Sequence, residues 1–202
     1  MALSIQSGIV LYFCRHGETQ ANLEKRFQGH GTDTPLTPKG REQSRALALL
    51  LMRDEPDLTN LSFRSSPLLR ARTTMEIVLE TLGLPVDRFS TDARLQEIDL
   101  GLWDGLTDSE ARALDPAMFE RRGDDKWNVR VPGGENYADV AKRAEKWASE
   151  LHGDTFAVSH GAFTRILRGL FSGMNGQQMS DLDEEQGVLF RVRDGVVTRL
   201  QF

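Results

Sequence analysis

The hydrophobic pattern begins with Ile9-Val10-Leu11-Tyr12-Phe13-Cys14, an unbroken apolar run that stops abruptly at Arg15-His16-Gly17. A run of that length without polar alternation predicts a strand covered on both faces, as in a parallel sheet. Thr37-Pro38 then reads as a helix start, with Thr37 as N-cap and Pro38 at the first helical position. That helix is expected to run to about Met52 and stop before Pro56. Leu61 to Ser65 predicts a second short strand, and Leu68 to Leu82 a second helix closed by Gly83. Further on, Tyr137, Val140, Ala141, Ala144, Trp147, Ala148 and Leu151 recur at i, i+3, i+4, i+7 spacing, the stripe of an amphipathic helix. Thr155 to Ser159 predicts another buried strand, ending at His160-Gly161, and Ala162 to Phe171 continues as helix. Val188, Phe190 and Val192 alternate with Arg191 and Arg193 before an Asp194-Gly195 turn, which predicts a terminal hairpin. Strands alternating with helices predict a layered α/β fold.

The regularity fails in one place. From Leu95 to Gly134 the chain is rich in glycine and proline and carries Trp103 and Trp127. This stretch is expected to be an insertion of short helices capping one edge of the sheet, within one domain spanning residues 1–202.

Composition narrows the function classes. Of 202 residues, 39% are hydrophobic and 27% charged, ordinary values for a globular protein, and the net charge of −5 argues against nucleic acid or an anionic membrane as partner. The longest apolar run, Ala46 to Met52, falls far short of the roughly 18 residues of a membrane span. Met1 to Gly8 lacks the basic and apolar regions of a signal peptide, so a cytoplasmic monomer or weak homodimer is expected. One cysteine, Cys14, excludes an internal disulfide, and period-2 geometry turns it into the core, opposite Arg15.

Two strands end alike, at Arg15-His16-Gly17 and at His160-Gly161, and a third leads through Ser66-Pro67 to a helix whose first turn holds Arg70. In an open α/β sheet ligands bind at the carboxyl ends of strands, where helix N-termini also point. A crevice with two imidazoles, two guanidinium groups and backbone N–H donors suits a phosphate, because arginine matches its oxygens bidentately.

Arg15-His16-Gly17-Glu18-Thr19 with Ala21-Asn22 resembles the signature of the histidine phosphatase superfamily, also called the phosphoglycerate-mutase-like family. Four more blocks follow in that family's order: Pro35-Leu36-Thr37 with Gly40, Ser65 to Leu68 with Arg70-Ala71 and Thr74, Leu95 to Gly105, and Ser159-His160-Gly161. The Pro132-Gly133-Gly134-Glu135 turn fits as well. The resemblance covers roughly residues 9 to 200. It implies a three-layer α/β/α sandwich with a mostly parallel sheet, the Ile9 and Thr155 strands lying centrally.

It also implies roles. His16 would be a nucleophile forming phosphohistidine; Arg15, Arg70 and His160 would bind the transferring oxygens. Asn22 would add a hydrogen bond, and Gly29, Gly161 and Arg121 complete the expected substrate-binding set. Glu97 would protonate the leaving group, with the nearby Asp99 the other candidate acid. His30, between Gly29 and Gly31, is expected to be an exposed residue at the pocket rim. No metal or other cofactor is called for, and the partner is a small phosphorylated substrate. The family's core does not separate phosphatases from mutases. A mutase needs a closing lid, and the short chain favours hydrolysis. The remaining alternative is a weakly catalytic protein that binds phospho-ligands for regulation, although the presence of both His16 and Glu97 argues against it.

Overall fold

A computed structural model describes residues 2–55 and 57–202. Its first strand, β1 (Leu11–Arg15), leads through the short α1 (Gln20–Leu23) to α2 (Pro38–Asp54). Then follow β2 (Ser62–Ser65), α3 (Leu69–Thr81) and the two-residue β3 (Ser90–Thr91). Two 3-10 turns precede α4 (Asp108–Leu114) and α5 (Pro116–Asp124). The chain continues with α6 (Tyr137–Ser149), β4 (Thr155–Ser159), α7 (Gly161–Phe171), α8 (Gly176–Ser180), β5 (Leu189–Arg193) and β6 (Val196–Leu200).

The six strands form one sheet in the order β3-β2-β4-β1-β5-β6. β1, β4, β2 and β3 run parallel, while β5 pairs antiparallel with β1 on one side and with β6 on the other. β1 and β4 are the central strands, as the family resemblance implied. Period-2 geometry sorts β1 between the two faces. Leu11 and Phe13 pack into a core with α6 and α7, whereas Tyr12 and Cys14 pack into a second core with α2 and α3. The fold is therefore the expected α/β/α sandwich, and the Cys14 side chain is fully buried between β1 and the α2–α3 layer.

Local chemistry sets the element ends. Thr37 caps α2 by accepting the Gly40 N–H, with Pro38 at the first helical position. α2 passes the expected stop at Met52 and reaches Asp54, whose carboxylate accepts from Tyr12 Oη at 2.7 Å and Arg191 Nη1 at 2.8 Å. α6 starts at a reciprocal capping box between Asn136 and Asp139, and its predicted stripe from Tyr137 to Ala148 is the buried one. Asp194 and Gly195 both adopt positive φ at the β5–β6 hairpin, the backbone such a two-residue turn demands.

Between Leu95 and Gly134 lie the turn Gly101–Trp103 and helices α4 and α5. Leu95, Ile98, Leu100, Trp103, Ala111 and Val131 join the core beneath α6 and α7. Trp103 stacks between Phe27 and Phe119 at centroid distances of 5.8 and 5.5 Å. The Pro132-Gly133-Gly134 turn lies against Gly101. A Cβ on Gly101 would stand 2.2 Å from the Pro132 carbonyl oxygen, and one on Gly134 2.4 Å from that of Asp99. Among the described residues no helix is long and apolar enough to cross a membrane.

Candidate active site

β1 ends by delivering Arg15 and His16 to the carboxyl edge of the sheet. Gly17 follows because the loop passes close to α2, and a Cβ there would lie 2.2 Å from the Gly40 carbonyl oxygen. The His16 ring is buried and its Nδ1 sits 2.8 Å from the Gly17 carbonyl oxygen. A carbonyl can only accept, so Nδ1 carries the proton and Nε2 keeps its lone pair, which accepts from Arg70 Nε–H. Burial first, then the positive charges of Arg70 and Arg15, hold the His16 pKa well below its ordinary value. The ring is thus neutral at neutral pH, the state a nitrogen nucleophile needs.

The neighbouring strands bring the partners. His160 follows β4, and its ring centroid lies 5.2 Å from that of His16. Its Nε2 meets Ser66 Oγ at 2.8 Å, while its Nδ1, fully buried, has no partner among the described residues. Arg70, in the first turn of α3 beyond β2, is completely buried. Its Nε stands 3.3 Å from His16 Nε2. The rest of the guanidinium is held by the Thr32 and Gly29 carbonyls and by Asp33, whose carboxylate also caps α3. Arg70 does not pair with Glu76; that contact belongs to Arg72.

Glu97 lies below the α7 N-terminus. Its carboxylate accepts from the Ile98 N–H at 2.9 Å and the Ala162 N–H at 3.1 Å. Burial raises its pKa, and the neighbouring Glu184 carboxylate raises it further. Asp99 is instead tied to the turn, accepting from Gly101 N–H, and is more exposed. The Glu97 main chain is clamped from both sides. Arg143 on α6 donates to the carbonyls of Arg94, Gln96 and Glu97, and His30 Nε2 approaches the Glu97 carbonyl at 2.7 Å. His30 is therefore half-buried and structural, not the exposed rim residue expected.

Arg15, His16, Asn22 and Glu97 line one end of a cavity of about 400 Å³, with Arg70 and His160 directly behind His16. Asn22 caps α1 and also lies on the cavity wall. Its Oδ1 accepts the Thr19 N–H in a capping box and also Gln186 Nε2, and the side chain faces the cavity.

Three of the expected substrate-binding residues lie off the cavity wall. Gly29 does not line the cavity; its carbonyl holds Arg70 and its N–H donates to Asp104. Gly161 does not line it either; it opens α7 directly beneath Glu184, while Ala162 forms the wall. Arg121 is exposed beside Met118, whereas the next residue, Arg122, is buried and faces the cavity. On α5 adjacent residues differ by 100° in direction, so only one arginine of the pair can point inward.

The far end of the cavity holds Arg122, Lys126 and Arg165 around the Tyr137 ring. The Arg122 guanidinium carbon lies 5.3 Å from the ring centroid, and Arg165 Nη1 donates to Tyr137 Oη at 2.8 Å. Arg122 Nε and Nη1 are buried and without hydrogen-bond partners among the described residues. Desolvation lowers the pKa of Arg122 and, with the charge of Arg165, that of Lys126. Phe27, Trp103 and Phe119 form an aromatic side wall. Among the described residues no three His, Cys, Asp or Glu side chains cluster as a metal site.

Comparison with known proteins agrees with this geometry. Residues 11–193 match the histidine phosphatase superfamily (branch 1). Human 6-phosphofructo-2-kinase/fructose-2,6-bisphosphatase 4 is 32% identical over 171 residues, 84% of this chain and 34% of that protein. The chain thus spans about a third of the length of the curated relatives it matches. The alpha-ribazole phosphatase from Shigella flexneri superposes with a TM-score of 0.80 at 26% identity, over 94% of each chain. A mycobacterial glucosyl-3-phosphoglycerate phosphatase, solved in complex with VO3, superposes with a TM-score of 0.76 at 28% identity, over 96% of this chain and 98% of that one. With its sheet, its paired histidines and these relatives, the chain belongs to the histidine phosphatase superfamily.

Proposed function

We propose that the chain hydrolyses a small phosphomonoester that carries a second anionic group, through a phosphohistidine on His16. One observation carries the reading: a single cavity holds the neutral His16 at one end and the unpartnered Arg122 guanidinium at the other. Leaving buried arginine N–H groups unpaired costs on the order of 1–3 kcal/mol or more, a cost that an anion at that position removes. Two of the three named activities fit, since a fructose 2,6-bisphosphate and a glucosyl phosphoglycerate both join a phosphomonoester to a further anion, whereas an alpha-ribazole phosphate carries the phosphate alone.

In the proposed reaction His16 Nε2 attacks phosphorus in line with the ester oxygen. The P–O bond breaks as the P–N bond forms. Arg15, Arg70, His160 Nδ1 and Asn22 take up the charge spreading over the equatorial oxygens. Glu97, whose pKa burial and the Glu184 carboxylate raise, gives its proton to the departing alkoxide. The resulting carboxylate then accepts a proton from the water that attacks phosphohistidine, which breaks the P–N bond and frees phosphate. Positive charge comes from arginine, so the scheme needs no metal ion.

The test is a panel of phosphorylated metabolites assayed for phosphate release. Compounds with a second phosphate or carboxylate should exceed the corresponding single-phosphate compounds in kcat/KM by about 10-fold or more, the effect of one charge-assisted hydrogen bond. No preference for the second anion would reject that part of the reading.

A further inference from the structure

Glu184 belongs to a segment between α8 and β5 that has no regular secondary structure and no readable pattern in the sequence. This segment nonetheless meets the site at two points, and Glu184 lines the cavity. Gln186 Nε2 donates to the His16 carbonyl at 3.2 Å and to Asn22 Oδ1 at 3.0 Å. The Glu184 carbonyl accepts from Arg15 Nη1 at 2.6 Å, and its carboxylate lies 3.7 Å from the same nitrogen and 3.2 Å from Arg165 Nη2. The carboxylate fits there only because Gly161 has no side chain: a Cβ would stand 2.6 Å from Glu184 Oε2. It thus bridges one arginine from each end of the cavity.

That position is a poor one for a purely structural carboxylate. Glu184 faces a second, buried carboxyl, Glu97, and the two like charges disfavour each other. Its two ion pairs are loose and its side chain is 32% exposed, so solvent is open to it if it swings away. Glu97, at 8% exposure and with two backbone N–H donors, has no such exit. A phosphoryl dianion is the stronger partner for Arg15, and it would repel a carboxylate left beside it.

We propose that Glu184 is an internal competitor of the substrate, a carboxylate that engages Arg15 and Arg165 and is displaced when phosphate takes them. This determines specificity, because a ligand must supply enough negative charge to outcompete Glu184 at both arginines. Weakly charged esters are selected against, and product phosphate is helped off as the carboxylate returns. The inference rests on the phosphoryl-binding role proposed for this cavity.

Titration calorimetry with inorganic phosphate tests it without requiring turnover. Glu184→Gln keeps the shape but removes the charge, and it should bind phosphate about 10-fold more tightly than the unaltered protein. Glu184→Ala should move in the same direction. Asp183→Asn is the control: the adjacent carboxylate pairs with Arg168 and should leave phosphate affinity unchanged. Unchanged or weaker phosphate binding in both Glu184 variants overturns the proposal, as does equal tightening by Asp183→Asn, which would mark a general charge effect. Absence of phosphate binding by the unaltered protein overturns both this proposal and the reading of the cavity on which it rests.

Discussion

At the His16 end of the cavity, all the key side chains but Glu97, which follows a 3-10 turn, stand at strand ends or in the first turn of the helix that follows, and most are held by hydrogen bonds. Arg70 is anchored by two carbonyls and Asp33, Glu97 by two N–H groups, and the His16 ring by Gly17. At the other end the cations come from α5, from the turn beyond it, and from the side of α7, and Arg122 is left with unpaired donors. One end is preorganised for a group that every substrate shares. The other draws its cations from three separate elements. The contrast assigns rate to the sheet edge and selectivity to the α4–α5 segment, and each assignment can be attacked separately.

The largest effect should come from His16→Ala, which removes the atom that receives phosphorus. Loss of about 10³-fold or more in kcat is expected, equivalent to roughly 4 kcal/mol of barrier, with no acid-labile label from a radioactive substrate. Substantial turnover in that variant would break the assignment of rate to this end. Glu97→Gln comes next, with a fall of about 10²–10⁴-fold for alkoxide leaving groups. A nitrophenyl phosphate needs the proton far less, so its transfer step should suffer much less and phosphohistidine should accumulate. Equal losses on both substrate types would return the acid role to Asp99.

pH gives a third handle. The neutral form of His16 attacks, and its pKa is lowered, so activity should fall on acidification only well below pH 6.5. Glu97 must be protonated, and its pKa is raised above 4.5, so kcat/KM should decline as pH climbs through that raised value. A pH–rate profile checks both signs, and Glu97→Gln should abolish the alkaline limb.

The smallest and most discriminating comparison is Arg122→Ala against Arg121→Ala. The first should raise KM for doubly anionic substrates about 10-fold to 100-fold, as expected for a lost charge-assisted contact, with a smaller change for an aryl phosphate. Arg121, exposed beside Met118, should change KM by less than about 2-fold. Similar effects from the two would undo the division of labour.

Legibility in the sequence followed the same divide. The sheet and its layers could be read because the apolar runs of β1 and β4 and the periodic stripe of α6 are patterns that burial explains, and the strand ends announced His16 and His160. Gly29 was seen as important but for the wrong reason, since what matters is the carbonyl that grips Arg70, and a backbone atom has no letter. The choice of Arg121 over Arg122 had a usable signal that went unread. Phe119 and Arg122 are three residues apart on α5, so an aromatic turned inward takes Arg122 with it. Arg143, Asp33 and Glu184 were invisible, because each acts across long sequence separations on partners that only the tertiary fold supplies.

The single thiol offers something different, a built-in stopwatch for the whole molecule. Cys14 is fully buried in the central strand, one residue before Arg15 and two before His16, and burial raises its pKa strongly. It should therefore ignore alkylating reagents in the folded state and react only when the β1–β4 centre opens. The labelling rate then reports how often that centre comes apart. An anion that binds only the closed form must slow the clock by the factor 1 + [L]/Kd, whether or not it is ever turned over. Mass spectrometry of alkylated protein could thus rank candidate ligands by affinity, using no substituted residue and no product assay.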